Sequence, residues 1–170
     1  MFITSLPLLF AFTSLINPLE VSCFLIAIMI GVYQITPNAK KRVSLPVAVG
    51  LYNYLYAAWT GKLRLRQAFW PFFILANLAF VYIDYRIMNI SYTINSWKTV
   101  HGMLLLPSLW WTLSIWRCSE NTQYRWYACI ARSITIYFYI DFILRLILSI
   151  FYPETLFDCR LLTIEYGDCN

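Results

Sequence analysis

The stretch WTGKLRLRQAFW, residues 59–70, decides how this chain is organised. It places Lys62, Arg64 and Arg66 within five residues, between two long apolar runs. Lys and Arg that flank apolar segments collect on the cytoplasmic side of membrane proteins. The stretch therefore indicates the direction in which the chain is threaded, and the neighbouring segments can be interpreted outward from it.

The composition is that of a membrane protein. Hydrophobic residues make up 61% of the 170 residues and charged residues only 12%, whereas soluble domains carry about a quarter charged residues. We therefore predict an all-α fold, a polytopic membrane helix bundle that forms one integral membrane domain over residues 1–170. The net charge of +5 is also a feature of nucleic-acid-binding proteins. Because the cations lie beside apolar runs, we expect the lipid bilayer and no nucleic acid as a partner.

Four apolar segments predict membrane-spanning helices at residues 18–35, 68–88, 97–116 and 126–152, since a span needs about 20 residues. Asn17 is a predicted N-cap, and Pro18 suits the first helical position. Residues 6–16 are apolar but too short to span alone. They either precede the first helix or join it as one long kinked helix.

Residues 43–60 carry no charge and have the length of a span, but the distribution of cations favours a helix along the cytoplasmic interface. If this segment does not span the membrane, eight cations lie on one side and three on the other. If it does span, five cations lie on one side and six on the other. The positive-inside rule favours the first arrangement, with both termini outside and residues 153–170 as an outer tail. The eight are Lys40, Lys41, Arg42, Lys62, Arg64, Arg66, Arg117 and Arg125, and the three are Arg86, Lys98 and Arg160.

Asp141 and Arg145 are four residues apart in the fourth predicted span. At 3.6 residues per turn they lie on one helix face and in the favourable order for an ion pair. Charges at membrane depth are costly and usually face the interior of a bundle. The pair either fixes helix packing or belongs to a proton or solute path, and we favour the packing role.

Asp84 and His101, the single histidine, are expected near the same outer end as Arg145. Asp84 would then orient or charge His101 and make a pH-sensitive site. The alternative, which we favour, is a solvated histidine at interface level with no role.

Cysteine spacing predicts one disulfide and no metal site. Cys159 and Cys169 fall in the outer tail, where an oxidising compartment permits a bridge, while Cys23, Cys118 and Cys129 are expected to be free thiols. The spacings of zinc sites and of common catalytic motifs do not occur. We therefore expect no metal, no cofactor and no enzymatic activity.

Two stretches carry a resemblance to a known kind of protein: Gly61-Lys62-Leu63-Arg64-Leu65 followed by Phe69-Trp70, and Trp116-Arg117-Cys118-Ser119-Glu120-Asn121-Thr122 with Trp126 and Ala131-Arg132 downstream. Together they resemble small uncharacterised bacterial inner-membrane proteins with a Gly-x-Leu-x-Leu…Phe-Trp stretch and a Trp-Arg…Asn-Thr loop. The resemblance implies a multi-pass protein of the bacterial inner membrane and implies no activity.

The sequence favours a non-catalytic integral membrane protein, an accessory or assembly subunit that packs against other membrane proteins or against itself. The alternative is a small transporter or channel that uses Asp141 and Arg145 with Asp84 and His101. A water-filled cavity that reaches Asp141 would favour transport, and a dry ion pair would favour the packing role.

Overall fold

The computed structural model describes residues 17–38, 50–89, 91–122 and 124–153, together with residues 157, 159, 162, 163 and 167. Within these ranges the chain is all-α and has no strand, as predicted. Its helices are α1 (Pro18–Ile35), α2 (Leu51–Trp59), α3 (Leu65–Met88), α4 (Ile94–Cys118) and α5 (Arg125–Phe151). Each of the four predicted spans coincides with a helix whose ends lie within three residues of the prediction.

Polar side chains set the start of two helices. The Asn17 side chain accepts a hydrogen bond from the Leu19 N–H at 3.2 Å, so the predicted N-cap is confirmed. The Thr93 hydroxyl accepts one from the Ser96 N–H at 3.1 Å at the start of α4. These bonds satisfy N–H groups that have no partner within the helix itself.

Two helices are long and apolar enough to cross a membrane, Leu65–Ile87 in α3 and Arg125–Phe151 in α5. Only 22% and 28% of their most apolar stretches are buried, whereas the core helix of a soluble protein buries most of its residues. The apolar part of α1, Leu19–Ile35, is shorter, and α4 is not among the helices that meet this criterion. Length and composition thus identify two membrane-crossing candidates, where the sequence predicted four.

The predicted interfacial segment, residues 43–60, is described only from residue 50 onward. There it forms the nine-residue helix α2, which at 1.5 Å per residue is too short to cross a hydrocarbon core of about 30 Å. Residues 6–16, Lys40–Arg42 and most of the predicted outer tail lie outside the described residues.

Contacts along their lengths make the neighbouring long helices antiparallel. Between α3 and α4, Phe72 stacks on Trp111 at 5.1 Å and Phe80 contacts His101 at 5.3 Å between ring centroids. Phe80 also contacts Phe138 of α5 at 5.6 Å. Aromatic rings therefore fill the space among α3, α4 and α5.

The first helix packs against α5. The Tyr137 hydroxyl donates to the Leu25 carbonyl at 2.5 Å, and the Cys129 thiol donates to the Met29 carbonyl at 3.5 Å. Because α4 runs antiparallel to α3 and α5, the start of α3, the end of α4 and the start of α5 lie together at one end of the bundle. We call this end the Gly61 end and the opposite end the Arg145 end.

Candidate functional site

Asp141 and Arg145 form a buried ion pair one helical turn apart in α5. Arg145 Nε and Asp141 Oδ2 are 2.8 Å apart, and the two side chains are only 6% and 9% exposed. The i, i+4 spacing brings the carboxylate and the guanidinium to one helix face. The pair faces the helices of the bundle, as expected for charged groups that lie among apolar segments.

Asp84 brings a second carboxylate from α3 to the same guanidinium. Its Oδ2 lies 3.2 Å from Arg145 Nη1, and its side chain is 17% exposed. The Trp97 indole N–H of α4 points to Asp84 Oδ1 across 3.5 Å. Asp84, Asp141, Arg145 and His101 together form the Arg145 cluster, which ties α3, α4 and α5 together.

His101 is fully buried, so the favoured expectation of a solvated histidine is wrong. Its Nδ1 donates to the Trp97 carbonyl at 2.9 Å, because a carbonyl oxygen can only accept. Its ring lies 3.7 Å from the Trp97 ring centroid. Asp84 is bonded to Arg145 and faces Trp97, so the hydrogen bond that orients the histidine comes from the preceding turn of its own helix and not from Asp84.

Two buried polar atoms of the cluster have no hydrogen-bond partner among the described residues, His101 Nε2 and Asp141 Oδ1. A buried polar atom without a partner costs about 1–3 kcal/mol. Such atoms in a native structure call for an explanation such as a bound water or a functional role. They are the part of the cluster that packing alone does not explain.

At the Gly61 end, Gly61 meets the end of α4 at close range. Its φ of +72° favours glycine, and a Cβ added there would lie 3.0 Å from Arg117 Cβ. The Asn121 amide donates to the Gly61 carbonyl at 2.5 Å and to the Leu63 carbonyl at 3.0 Å. We call these contacts, with those of Arg117, the loop junction.

Arg117 completes the loop junction. Its Nη1 donates to the Trp59 carbonyl at 2.6 Å, and its guanidinium carbon lies 4.4 Å from the Trp59 ring centroid. The junction therefore joins two stretches of the sequence, residues 59–63 and residues 117–121. Sequence reasoning placed both stretches on one side of the membrane but did not predict that they bind each other.

Arg132 and Arg125 also bind the ends of other helices, which sequence reasoning missed. Arg132 Nε donates to the Ser119 hydroxyl at 2.9 Å and its Nη2 to the Trp116 carbonyl at 3.2 Å. Arg125 Nη2 donates to the Tyr33 carbonyl at 2.5 Å. Cations at helix C-termini are favourable because the last carbonyl groups have no partner within the helix.

Cys23, Cys118 and Cys129 are free thiols, as expected. Cys159 is disulfide-bonded, but Cys169 lies outside the described residues, so the pairing of these two cysteines stays a prediction. Among the described residues, no group of three or more His, Cys, Asp or Glu side chains is placed to hold a metal ion.

Comparison with known proteins gives no match, neither to a family model nor to a curated protein nor to a solved structure. Function must therefore be argued from the two ends of the bundle.

Proposed function

We propose that this chain is a non-catalytic integral membrane protein that serves as an accessory or assembly subunit of a membrane complex. The observation that carries the proposal is the mutual pairing of Asp84, Asp141 and Arg145, which buries these charges against one another. An ion-pair network that joins α3 to α5 favours one arrangement of these helices. The apolar faces of the helices are then left for lipid and for other proteins.

The proposed topology has α1, α3, α4 and α5 crossing the membrane, with both termini outside. Among the described residues, Lys62, Arg64, Arg66, Arg117 and Arg125 lie at the Gly61 end, and Arg86 and Lys98 at the Arg145 end. The positive-inside rule then favours a cytoplasmic Gly61 end. The resemblance of residues 59–132 to bacterial inner-membrane proteins supports that membrane as the location.

In this topology α2 lies along the cytoplasmic interface. Tyr52 is 79% exposed and Tyr56 55% exposed, whereas Ala57 and Ala58 are buried against the bundle. Aromatic side chains are favoured at headgroup depth because they combine an apolar ring with a polar edge.

Labelling of single cysteines from outside the cell tests the placement of α2. Lys40→Cys and Arg64→Cys should both be protected from the reagent, and labelling at position 40 alone would contradict the placement.

Site-specific photocrosslinking in native membranes tests the subunit role. A photoreactive residue at Leu106, which is 73% exposed, should capture the same partner chain that copurifies in mild detergent. The matched control is Trp111, which is fully buried and should capture nothing outside its own chain. Failure to capture a chain from Leu75, Leu106 and Ile150 alike would contradict the proposal.

A small transporter or channel is the second candidate, and the partnerless His101 Nε2 and Asp141 Oδ1 favour it. Two buried atoms that can each accept a proton are suited to hold a transported proton or water. Proteoliposomes loaded with a pH-sensitive dye would test this candidate. Flux that Asp141→Asn abolishes, in a variant that still folds, would favour transport over the subunit role.

A further inference from the structure

We propose that a groove at the start of α3 binds the phosphodiester headgroup of an anionic phospholipid. The groove has a volume of about 480 Å³ and is lined by Arg64, Arg66, Gln67, Trp70 and Pro71. This inference goes beyond the proposed subunit role, and it rests on one part of it, the crossing of the membrane by α3.

The local packing directs the two arginines of the groove outward. Leu63 and Leu65 are 1% and 7% exposed and anchor the segment in the bundle. Arg64 and Arg66, which alternate with them, are exposed. The alternation of leucine and arginine therefore lays two guanidinium groups along one exposed edge.

Pro71 and Tyr54 hold the backbone of the groove in place. Pro71 lies inside α3 and has no N–H, so it leaves the Gln67 carbonyl without its usual helical donor. The Tyr54 hydroxyl donates to that carbonyl at 2.8 Å. Burial raises the pKa of the Tyr54 hydroxyl, so that it keeps the proton that it donates. The groove is thus attached to α2 as well as to α3.

Positive charge prevails at the Gly61 end, where Lys62, Arg64, Arg66, Arg117 and Arg125 lie. Glu120 is the one acidic residue of the described ranges at this end. The groove therefore presents positive charge with little acidic charge nearby.

The lining groups fit a phosphodiester at headgroup depth. Guanidinium groups bind phosphate oxygens through paired N–H donors, and the Gln67 amide adds a further donor. Trp70, which is 49% exposed, places an indole where the headgroup meets the acyl chains. Because the groove lies at one end of a helix long enough to cross the membrane, a lipid is a more suitable ligand than a soluble phosphate.

Titration of the full-length protein in neutral detergent, followed by native mass spectrometry, tests the proposal. The probes are short-chain phosphatidylglycerol, phosphatidylcholine of the same chain length, and glycerol phosphate. We expect phosphatidylglycerol to bind most tightly, with Arg64→Gln and Arg66→Gln each weakening it about fivefold and the double variant about thirtyfold.

The controls separate the groove from overall charge and from folding. Lys98→Gln removes one positive charge at the opposite end and should change phosphatidylglycerol binding less than about twofold. Arg64→Lys with Arg66→Lys keeps the charge, should keep the fold, and should recover part of the affinity. An equal loss in Lys98→Gln, or equal binding of phosphatidylcholine, would overturn the proposal. Equally tight binding of glycerol phosphate would assign the groove to a soluble phosphate and overturn it as well.

Failure of this inference is distinguishable from failure of the proposed function. Alkaline carbonate extraction of membranes reports whether the chain is integral, whatever lipid it binds. A chain that stays in the membrane but does not prefer phosphatidylglycerol contradicts the groove proposal alone. Release of the chain by carbonate contradicts both.

Discussion

Arg117, Arg125 and Arg132 at the Gly61 end bind other kinds of partner than Arg145 at the opposite end. At the Gly61 end, Arg117, Arg125 and Arg132 donate to backbone carbonyls or a hydroxyl and lie against aromatic rings. At the Arg145 end, one guanidinium lies between two carboxylates. Neutral partners leave the positive charge of the first group intact, whereas the two carboxylates more than balance the charge of Arg145.

In the proposed topology, this difference gives the two ends separate tasks. An end that keeps its positive charge contributes to the orientation of the chain in a membrane. A guanidinium that is paired with carboxylates can be buried among apolar helices at lower cost than an unpaired one. In that topology, arginine serves orientation at one end and helix packing at the other.

The largest effect is expected from Arg145→Ala, because it leaves two carboxylates, Asp84 and Asp141, without this shared cation. Removal of one partner from a buried ion pair costs about 3–5 kcal/mol. Thermal unfolding in detergent should show a large fall in stability, with partial recovery in Arg145→Lys. A loss no greater than that of Arg86→Ala, a partly exposed arginine of the same end, would contradict a packing role for the cluster.

Gly61→Ala should have the next largest effect, since it disturbs the loop junction at a position that only glycine fits well. Strain from the positive φ costs about 1–3 kcal/mol, and the new methyl group would contact Arg117 at 3.0 Å. The matched control is Gly102→Ala in α4, where an added Cβ meets nothing within 4 Å. That change should stabilise the helix by about 0.5–1 kcal/mol. Equal effects of the two changes in thermal unfolding would mean that the junction is not tightly packed.

Asp141→Asn should cost less than Arg145→Ala, because Arg145 keeps its ion pair with Asp84. Asparagine keeps an oxygen that can accept from Arg145, so a charged acceptor is replaced by a neutral one, which predicts a loss of about 1.5 kcal/mol. The double variant of Asp141→Asn with Arg145→Ala should be milder than the sum of the two, since one carboxylate fewer is left without the guanidinium. Additive losses in a double-mutant cycle would indicate that the two side chains do not interact.

Asn121→Ala should have the smallest effect of the four. It removes the two hydrogen bonds to the Gly61 and Leu63 carbonyls, which are only partly buried and can bind water instead, so the loss is about 1 kcal/mol. The expected result is a modest fall in unfolding temperature with the helix content unchanged. A fall as large as that of Arg145→Ala would mean that the two ends do not differ in the way described.

Local patterns in the sequence predicted the helices and one ion pair. Asn17 before Pro18 predicted the start of α1, and the four-residue spacing of Asp141 and Arg145 predicted their contact. Both depend on residues within one helical turn, where geometry follows directly from chain position. The burial of His101 depends on rings from three helices, and the sequence around it resembled that of an exposed histidine.

The sequence by itself determined the all-α class, the positions of the long helices and the surplus of cations at one end, because apolar length and charge placement are local properties of the chain. The tertiary structure alone decided which groups the arginines bind. Arg117 and Trp59 are 58 residues apart, and Arg145 and Asp84 are 61 residues apart. Backbone carbonyls carry no side-chain signature, so only the packing of helices could reveal that they, and not carboxylates, bind Arg117 and Arg125 at the Gly61 end.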